Sequence, residues 1–538
     1  MLRKQAPRIC FFSAVLLSLT SALLLYAFSA LFGSLNQDEG WYLYAAKCVS
    51  DGLHPYQDFF YTQAPLMPWF YSAFEGLWGR FGVLGGRIFT AVIGFLASLC
   101  MAGMAARAVP KERTREAALI AFGLISCNLY HVYFTTIPKT YALASLFLGS
   151  GYLLLTLCFF RDRRSHSRLS RMWALPAGFL IALAAGVRLS LGAVLPVTTL
   201  LLLLHYRKSG SAFFWFALGG AIGLLAVFAP VYFSAKDEFI FSQSFHVARG
   251  GNDLFLIAGS LSRLARAYLT QFALLGALAL SALFLEIKGG AADAEASENS
   301  RYHGEIWPSI WFLSFLAVFG VQLMSPHPYD DYQVPVMGLF SAALAVWAIR
   351  RLKVQTHRSV LMLGLILSVN LCSFASPLIQ EWLTQGQDRF WVLKKESSDI
   401  RELQAAARDI TALLEGQRRL LTQDLYLAVE ADLRVPRGLE MGPFGYFPEL
   451  SDEDAAKYHV LNKAGMLRML AAAPCEVAAF SGYGLAIRAP VMDQVPHRDY
   501  QAFMRALSLN YDFVREIPDF GQHHTLLQIL KRRKPIAE

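Results

Sequence analysis

The chain has 538 residues, 55% hydrophobic and only 17% charged, with a mean hydropathy of +0.38; soluble domains carry about 25% charged residues, so a soluble globular protein is excluded. The net charge of +9 does not point to nucleic acid, because Lys and Arg form short clusters at the ends of apolar runs, where they set membrane topology. The seven cysteines show no metal-ligand spacing and read as buried free thiols, Cys48 and Cys475 being the one pair placed to meet outside a bilayer.

A helical crossing takes about 20 apolar residues. Runs of that kind predict spans at 9–33, 84–106, 117–136, 140–160, 172–187, 189–206, 212–234, 267–286, 307–324, 333–349 and 359–377, an α-helical bundle of about eleven crossings over residues 1–377. Arg3, Lys4 and Arg8 precede an apolar run too long for a signal-peptide core, with no small-residue cleavage site after it, so the first helix is expected to be retained with its N-terminus in the cytoplasm. Threading the spans alternately puts Arg107, Lys111, Arg113 and Arg115, then Arg161 to Arg171, then Arg207 and Lys208, then Arg350 to Arg358 on the inside, as the positive-inside rule requires. The first outer segment, about 34–83, is acidic and aromatic. Its NQDEGWYLYAAKCVSDG reads as an interfacial helix with Asp38 as N-cap and an end at Gly52, and APLMPWFY opens a second near Pro65. The polar, small-residue-rich stretch 289–300 is expected to be a flexible inside loop.

Beyond residue 378 hydropathy falls. Positions 394–420 predict a helix with a charged face, while DLYLAVEA, CEVAAF and TLLQIL read as strands, giving residues 378–538 as a small outside α/β domain.

Charge is nearly absent from the middle of the spans; Arg87, His131 and Arg188 lie near span ends. Ion-coupled transporters place ionisable groups at the bilayer midplane, so polar chemistry is expected at the outer surface. Asp38 and Glu39 are the candidate catalytic acids there, against the simpler reading of Asp38 as a helix cap. Trp41, Tyr42, Asp58, Tyr61 and Gln63 are candidate sugar or acceptor contacts, the aromatic ones also suiting an interfacial belt. Lys139, Arg188, His246 and Arg249 are candidate phosphate contacts, against the simpler reading that each snorkels toward headgroups; Lys139 and Arg188 occupy very short turns on the cation-poor side, which strengthens the phosphate reading for those two. The last outer loop, SPHPYDDYQVP, adds His327, Tyr329 and Tyr332; its pair Asp330 and Asp331 would suit a divalent metal ion or be two solvated acids.

An apolar first helix, an Asp-Glu pair, an aromatic interfacial helix, a Pro-Leu element, short outer turns and a late H-x-Y…P loop together resemble the GT-C membrane glycosyltransferases. The stretch DEGWYLYAAKCVSDGLHPYQDFFYTQAPL is similar to the first outer loop of the protein O-mannosyltransferase and aminoarabinose transferase group, glycosyltransferase family 39 and its bacterial relatives; AGFLIALAAGVRLS and HPYDDYQVPVMGLFSAALA resemble its later motifs. The resemblance covers most of residues 1–377. It implies transfer of a sugar from a polyprenyl-phosphate carrier to a glycan, lipid or protein acceptor at the non-cytoplasmic face, with Asp38 as the catalytic acid-pair Asp and Glu39 its neighbour. Where the aminoarabinose branch has a Glu-Lys pair before Pro-Pro-Leu, this chain has Thr62-Gln63-Ala64-Pro65, and Asp58 is the candidate for the missing acid. A transporter or flippase of lipid-linked sugars is the alternative reading.

Overall fold

The computed structural model describes residues 2–161, 172–205, 211–247, 258, 259, 261, 306–325, 329–351, 358–373, 397–488 and 493–533. The expected span 267–286 and the segment 289–300 lie outside the described residues. The fold is mainly helical, a multi-pass membrane bundle carrying a small sheet-containing domain at one end.

In chain order the first helices are α1 (Leu2–Phe32), α2 (Gln37–Ser50), α3 (Leu66–Ala73), α4 (Glu75–Trp78), α5 (Gly82–Arg107), α6 (Thr114–Ser126), α7 (Leu129–Phe134) and α8 (Thr140–Arg161). Helices at Ala174–Val187, Val194–His205, Ala212–Ser234, Lys236–Val247, Trp307–Leu323, Val334–Arg351 and Arg358–Ser373 follow. Five described stretches are long and apolar enough to cross a bilayer: Ile9–Phe32, Glu75–Arg107, Thr140–Phe159, Ala212–Ser234 and Asp331–Arg350. The other expected spans that are described are shorter than the roughly 20 residues of a perpendicular crossing. The run 117–136 is not one helix. It breaks after Ser126, and the Asn128 side chain accepts the amide of His131 to cap α7. The run 189–206 begins as a 3-10 turn, Leu189–Ala193.

Small residues bring helices together where lipid offers no hydrophobic driving force. A Cβ on Gly178 would stand 2.0 Å from the carbonyl oxygen of Phe216, and one on Gly219 would stand 1.9 Å from that of Leu175. The Ala174–Val187 and Ala212–Ser234 helices therefore touch backbone to backbone. Elsewhere the buried hydroxyls of Tyr152, Thr198 and Ser314 bond one another, Tyr152 reaching each of the other two at 2.6 Å, and tie three helices together.

The C-terminal part holds a four-stranded sheet in the order β1-β2-β6-β5, formed by β1 (Leu420–Leu421), β2 (Val477–Phe480), β5 (Tyr511–Phe520) and β6 (Thr525–Arg532). A separate pair, β3 (Ile487–Arg488) and β4 (Asp493–Gln494), lies beside it. The expected strands in CEVAAF and TLLQIL form as β2 and β6. DLYLAVEA does not form a strand: Leu425–Glu430 is a short helix with its first five residues buried, and a short apolar run carries no period to separate the two. Cys48 and Cys475 are both buried and free.

The two parts are joined tightly around α2. The backbone of Tyr426 crosses so close that a Cβ on Gly40 would stand 2.6 Å from its nitrogen. Trp41 packs edge-on against Phe444 with centroids 4.4 Å apart, and the Tyr44 hydroxyl accepts the amide of Val435 at 2.8 Å. The Glu430 carboxylate accepts the amide of Val83 at 2.8 Å, placing an anion at the N-terminus of α5.

Candidate active site

The acid pair at the start of α2 is divided between two tasks by the way the helix begins. Its N-cap is Asn36, not Asp38: the Asn36 side chain accepts the amide of Asp38 at 3.0 Å, and the Asn36 amide donates to Glu39 Oε1 at 2.8 Å, a capping box. Glu39 is fully buried and paired in parallel bonds with buried Arg87, whose Nε reaches Oε2 at 2.8 Å and Nη2 reaches Oε1 at 2.7 Å. The same guanidinium donates to the carbonyls of Ala30, Gly33 and Ser34 at 3.2, 2.8 and 3.0 Å. Glu39 thus locks the exit of α1 to α5, with its oxygens turned away from solvent.

Asp38, freed from capping, points the other way. Its Oδ2 lies 2.8 Å from Nζ of Lys139, which also reaches Oδ2 of Asp331 at 3.0 Å. The Asp38 side chain keeps 29% of its surface, against 8% for Lys139 and 12% for Asp331. Burial opposes the charge on Lys139, but Asp38 and Asp331 outweigh it and hold its pKa above the ordinary lysine range. Asp331 is not the solvated loop acid that was one of its two expected roles: it is buried and also accepts the Tyr141 hydroxyl at 3.0 Å. Among the described residues no group of three or more His, Cys, Asp or Glu could hold a metal ion, and the Lys139 ammonium fills the point between the two carboxylates where a cation would bind.

Arg188 stands in extended backbone between the Ala174–Val187 helix and the following 3-10 turn. Its guanidinium lies 4.2 Å from the ring centre of Tyr332 and 5.1 Å from that of Tyr141, and Nη1 donates to Thr140 Oγ1 at 3.3 Å. Its Nε is buried with no hydrogen-bond partner among the described residues. A cation held by aromatic faces with a donor unused is matched to an incoming anion.

Tyr42 closes the cluster from α2. Burial, then the negative charge of Asp38, raise the pKa of its hydroxyl, and its ring meets Tyr61 edge-on at 6.4 Å. Tyr61 is fully buried, its hydroxyl without a hydrogen-bond partner among the described residues. Tyr329 is exposed beside Tyr332, centroids 5.5 Å apart. Gln63 offers its carbonyl to the Tyr56 hydroxyl and to Gln243 Nε2.

The structure therefore gathers Asp38, Lys139, Arg188, Tyr42, Tyr61 and Tyr332 at one end of the bundle. The Trp41 ring meets Tyr42 edge-on at 6.4 Å and also packs on Phe444. Asp58 accepts the amide of His54 at 2.7 Å and closes its own turn. The Arg249 and His327 positions and the His246 side chain lie outside the described residues. Sequence reasoning missed Tyr141 and Arg87; Tyr141, two residues beyond Lys139, could have been noticed as its neighbour, whereas nothing local marks Arg87 as the partner of Glu39.

The described chain matches the crystal structure of ArnT from Cupriavidus metallidurans bound to undecaprenyl phosphate with a TM-score of 0.58 at 13% identity, covering 96% of this chain and 97% of that one. This is the GT-C fold. The apo state of ArnT from the same organism matches at a TM-score of 0.57 and 14% identity over the same shares. The oligosaccharyltransferase of Archaeoglobus fulgidus, in complex with Zn and sulfate, matches at 0.45 and 12% identity over 88% of this chain and 68% of that one. No protein-family model and no curated protein matches the sequence. The likeness to ArnT runs through the bundle and the C-terminal domain alike, including the part where the sequence motifs end.

Proposed function

We propose that the chain is a membrane glycosyltransferase that moves a sugar from a polyprenyl-phosphate donor to an acceptor hydroxyl. The observation that carries this is the convergence of Asp38, Lys139 and the anion-ready Arg188 at one end of a GT-C bundle, the fold of ArnT, which has been crystallised with undecaprenyl phosphate. The lipid keeps the donor in the plane of the bilayer, so the reacting bond must be met where helix ends and surface loops converge. The active end is the non-cytoplasmic one on this reading: α5 runs from it toward Arg107, Lys111 and Arg113 at the other end, and basic loops stay inside.

The acceptor hydroxyl attacks the anomeric carbon, the bond from that carbon to the phosphate oxygen breaks, and the hydroxyl proton passes to Asp38. Lys139 holds one oxygen of that carboxylate and leaves the other for the acceptor. As the bond breaks, negative charge grows on the lipid phosphate, and the guanidinium of Arg188 stabilises it; Lys139, shared with two acids, contributes less. Tyr42, Tyr61 and Tyr332 line the sugar. Glu39 acts through the backbone, holding the turn from which Asp38 projects.

Mass analysis of envelope lipids, glycans and proteins from cells lacking the chain, complemented with the wild type or Asp38→Asn, tests the reading. Wild type restores a hexose-sized or pentose-sized adduct and Asp38→Asn, equally expressed, does not. An adduct restored in full by Asp38→Asn overturns it, as does movement of labelled undecaprenyl-linked lipid across vesicles with no new glycosidic bond.

A further inference from the structure

The first turn of a helix leaves amide donors without partners inside the helix, and an acid at its second position is ordinarily drawn back onto them. In α2 those donors are taken by other groups. Asn36 serves Asp38 through its side chain and Glu39 through its carbonyl, at 3.0 and 3.1 Å. The amide of Gln37, the first helical residue, donates at 2.8 Å to Oε1 of Gln522, which lies 485 residues along the chain in the turn between β5 and β6. The amide of Leu35, just before the cap, donates at 2.8 Å to Oδ2 of Asp399. The Gln37 side chain donates to Asp424 Oδ1 at 3.1 Å and to the Tyr426 hydroxyl at 3.2 Å. Asp424 is itself fixed: it is fully buried and accepts from Ser481 N, Ser481 Oγ and the Tyr426 hydroxyl at 2.7, 2.7 and 3.0 Å.

We infer that the C-terminal domain is a positioning element for catalysis, with Gln522 and Asp424 as its positioning residues. They hold Gln37, immediately before Asp38, while Asp399 holds Leu35, and together they leave the Asp38 carboxylate with no first-turn amide to cap, so that it faces Lys139. Docking alone would need only the apolar contacts, such as Trp41 on Phe444; it would not need a buried carboxylate on the Leu35 amide, a half-buried amide oxygen on the Gln37 amide and a buried carboxylate on the Gln37 side chain, all beside one acid. This inference rests on the glycosyl-transfer reading for its consequence in rate, though not for the geometry it invokes.

The test compares full-length wild type, Gln522→Leu and Gln522→Glu. Leu removes the acceptor at similar volume, and Glu keeps an oxygen for the Gln37 amide. Turnover is read as adduct formed in complemented cells per folded enzyme. Binding of undecaprenyl phosphate to the purified protein and hydrogen exchange at amides 35–40 are read beside it. Gln522→Leu is expected to lose on the order of 10–100-fold in turnover, to bind undecaprenyl phosphate within about twofold of wild type, and to exchange faster at 35–40; Gln522→Glu restores both turnover and protection. Wild-type turnover per folded enzyme in Gln522→Leu overturns the inference, as does a loss per folded enzyme that Gln522→Glu does not rescue. Absence of any adduct in wild type, with exchange still faster in Gln522→Leu, removes the proposed reaction and leaves the clamp standing.

Discussion

Replacing Lys139 by Met tests the centre of the site most directly. With both carboxylates on one ammonium, at 2.8 and 3.0 Å, their oxygens stand at most about 6 Å apart, and at an effective dielectric of about 20 two like charges at that distance repel by about 3 kcal/mol. Lys139→Met exposes that repulsion and removes the group that aims Asp38. The expected result is a folded state less stable by about 3 kcal/mol, read as a lowered Tm, with a loss of turnover on the order of 10–100-fold because Asp38 is no longer aimed. Lys139→Met/Asp331→Asn removes the repulsion, and Tm returns toward wild type while turnover recovers only in part because Asp38 has no cation to hold it. The assay is a double-mutant cycle read in Tm and in adduct formed per folded enzyme. Full activity in Lys139→Met, or no recovery of Tm in the double variant, refutes the reasoning. The sign of the pH effect follows from the raised pKa of Lys139: the stabilisation is complete below the unfolded pKa and is lost only as pH rises through the higher folded value, so the bridge persists across the ordinary lysine range.

Arg188→Gln should weaken binding of undecaprenyl phosphate by at least about tenfold, the loss of one charge-assisted bond of about 1.5–3 kcal/mol, measured by equilibrium binding to purified protein. Glu39→Gln should leave Arg87 buried and unpaired, costing about 3–5 kcal/mol and lowering Tm; a variant as stable as wild type would mean the pair is dispensable. Burial raises the pKa of Glu440, beside Tyr44 and Cys48, to about 7. A carboxyl raised in the folded state gives stability that is complete below its unfolded pKa and lost as pH rises through about 7, here about 3 kcal/mol; Glu440→Gln should flatten the fall of Tm over that window. Gly219→Val should force the Ala174–Val187 and Ala212–Ser234 helices apart at a cost of about 3 kcal/mol or more, read as lost folded protein in detergent.

Much of the bundle is legible because bilayer thickness imposes a length that sequence cannot hide, and helices form close to where Asp38 to Gly52 and Pro65 onward predict them, the first starting two residues earlier. The cap was misplaced by two residues because Asp38 and Asn36 are both good caps, and only the reciprocal bond from Glu39 decides between them. Lys139 and Arg188 stood out as cations in tight turns on the wrong side of the charge rule, a signal in the pattern itself. The partner of Glu39 lies 48 residues away, and no local pattern links them. Strand β5 went unseen because most of it is exposed, so Asp512, Arg515 and Glu516 break the alternation that betrays a half-buried strand.

The residues that grip Leu35 and Gln37 lie between positions 399 and 522, late in a chain made from its N-terminus. Ribosomes supply about 5–20 residues per second, so α1 and α2 wait tens of seconds beside the membrane before their holders exist. During that interval the first turn of α2 lacks the acceptors for the Leu35 and Gln37 amides. On the proposed reading biosynthesis itself serves as a delay, with the site completed only once the last sheet closes.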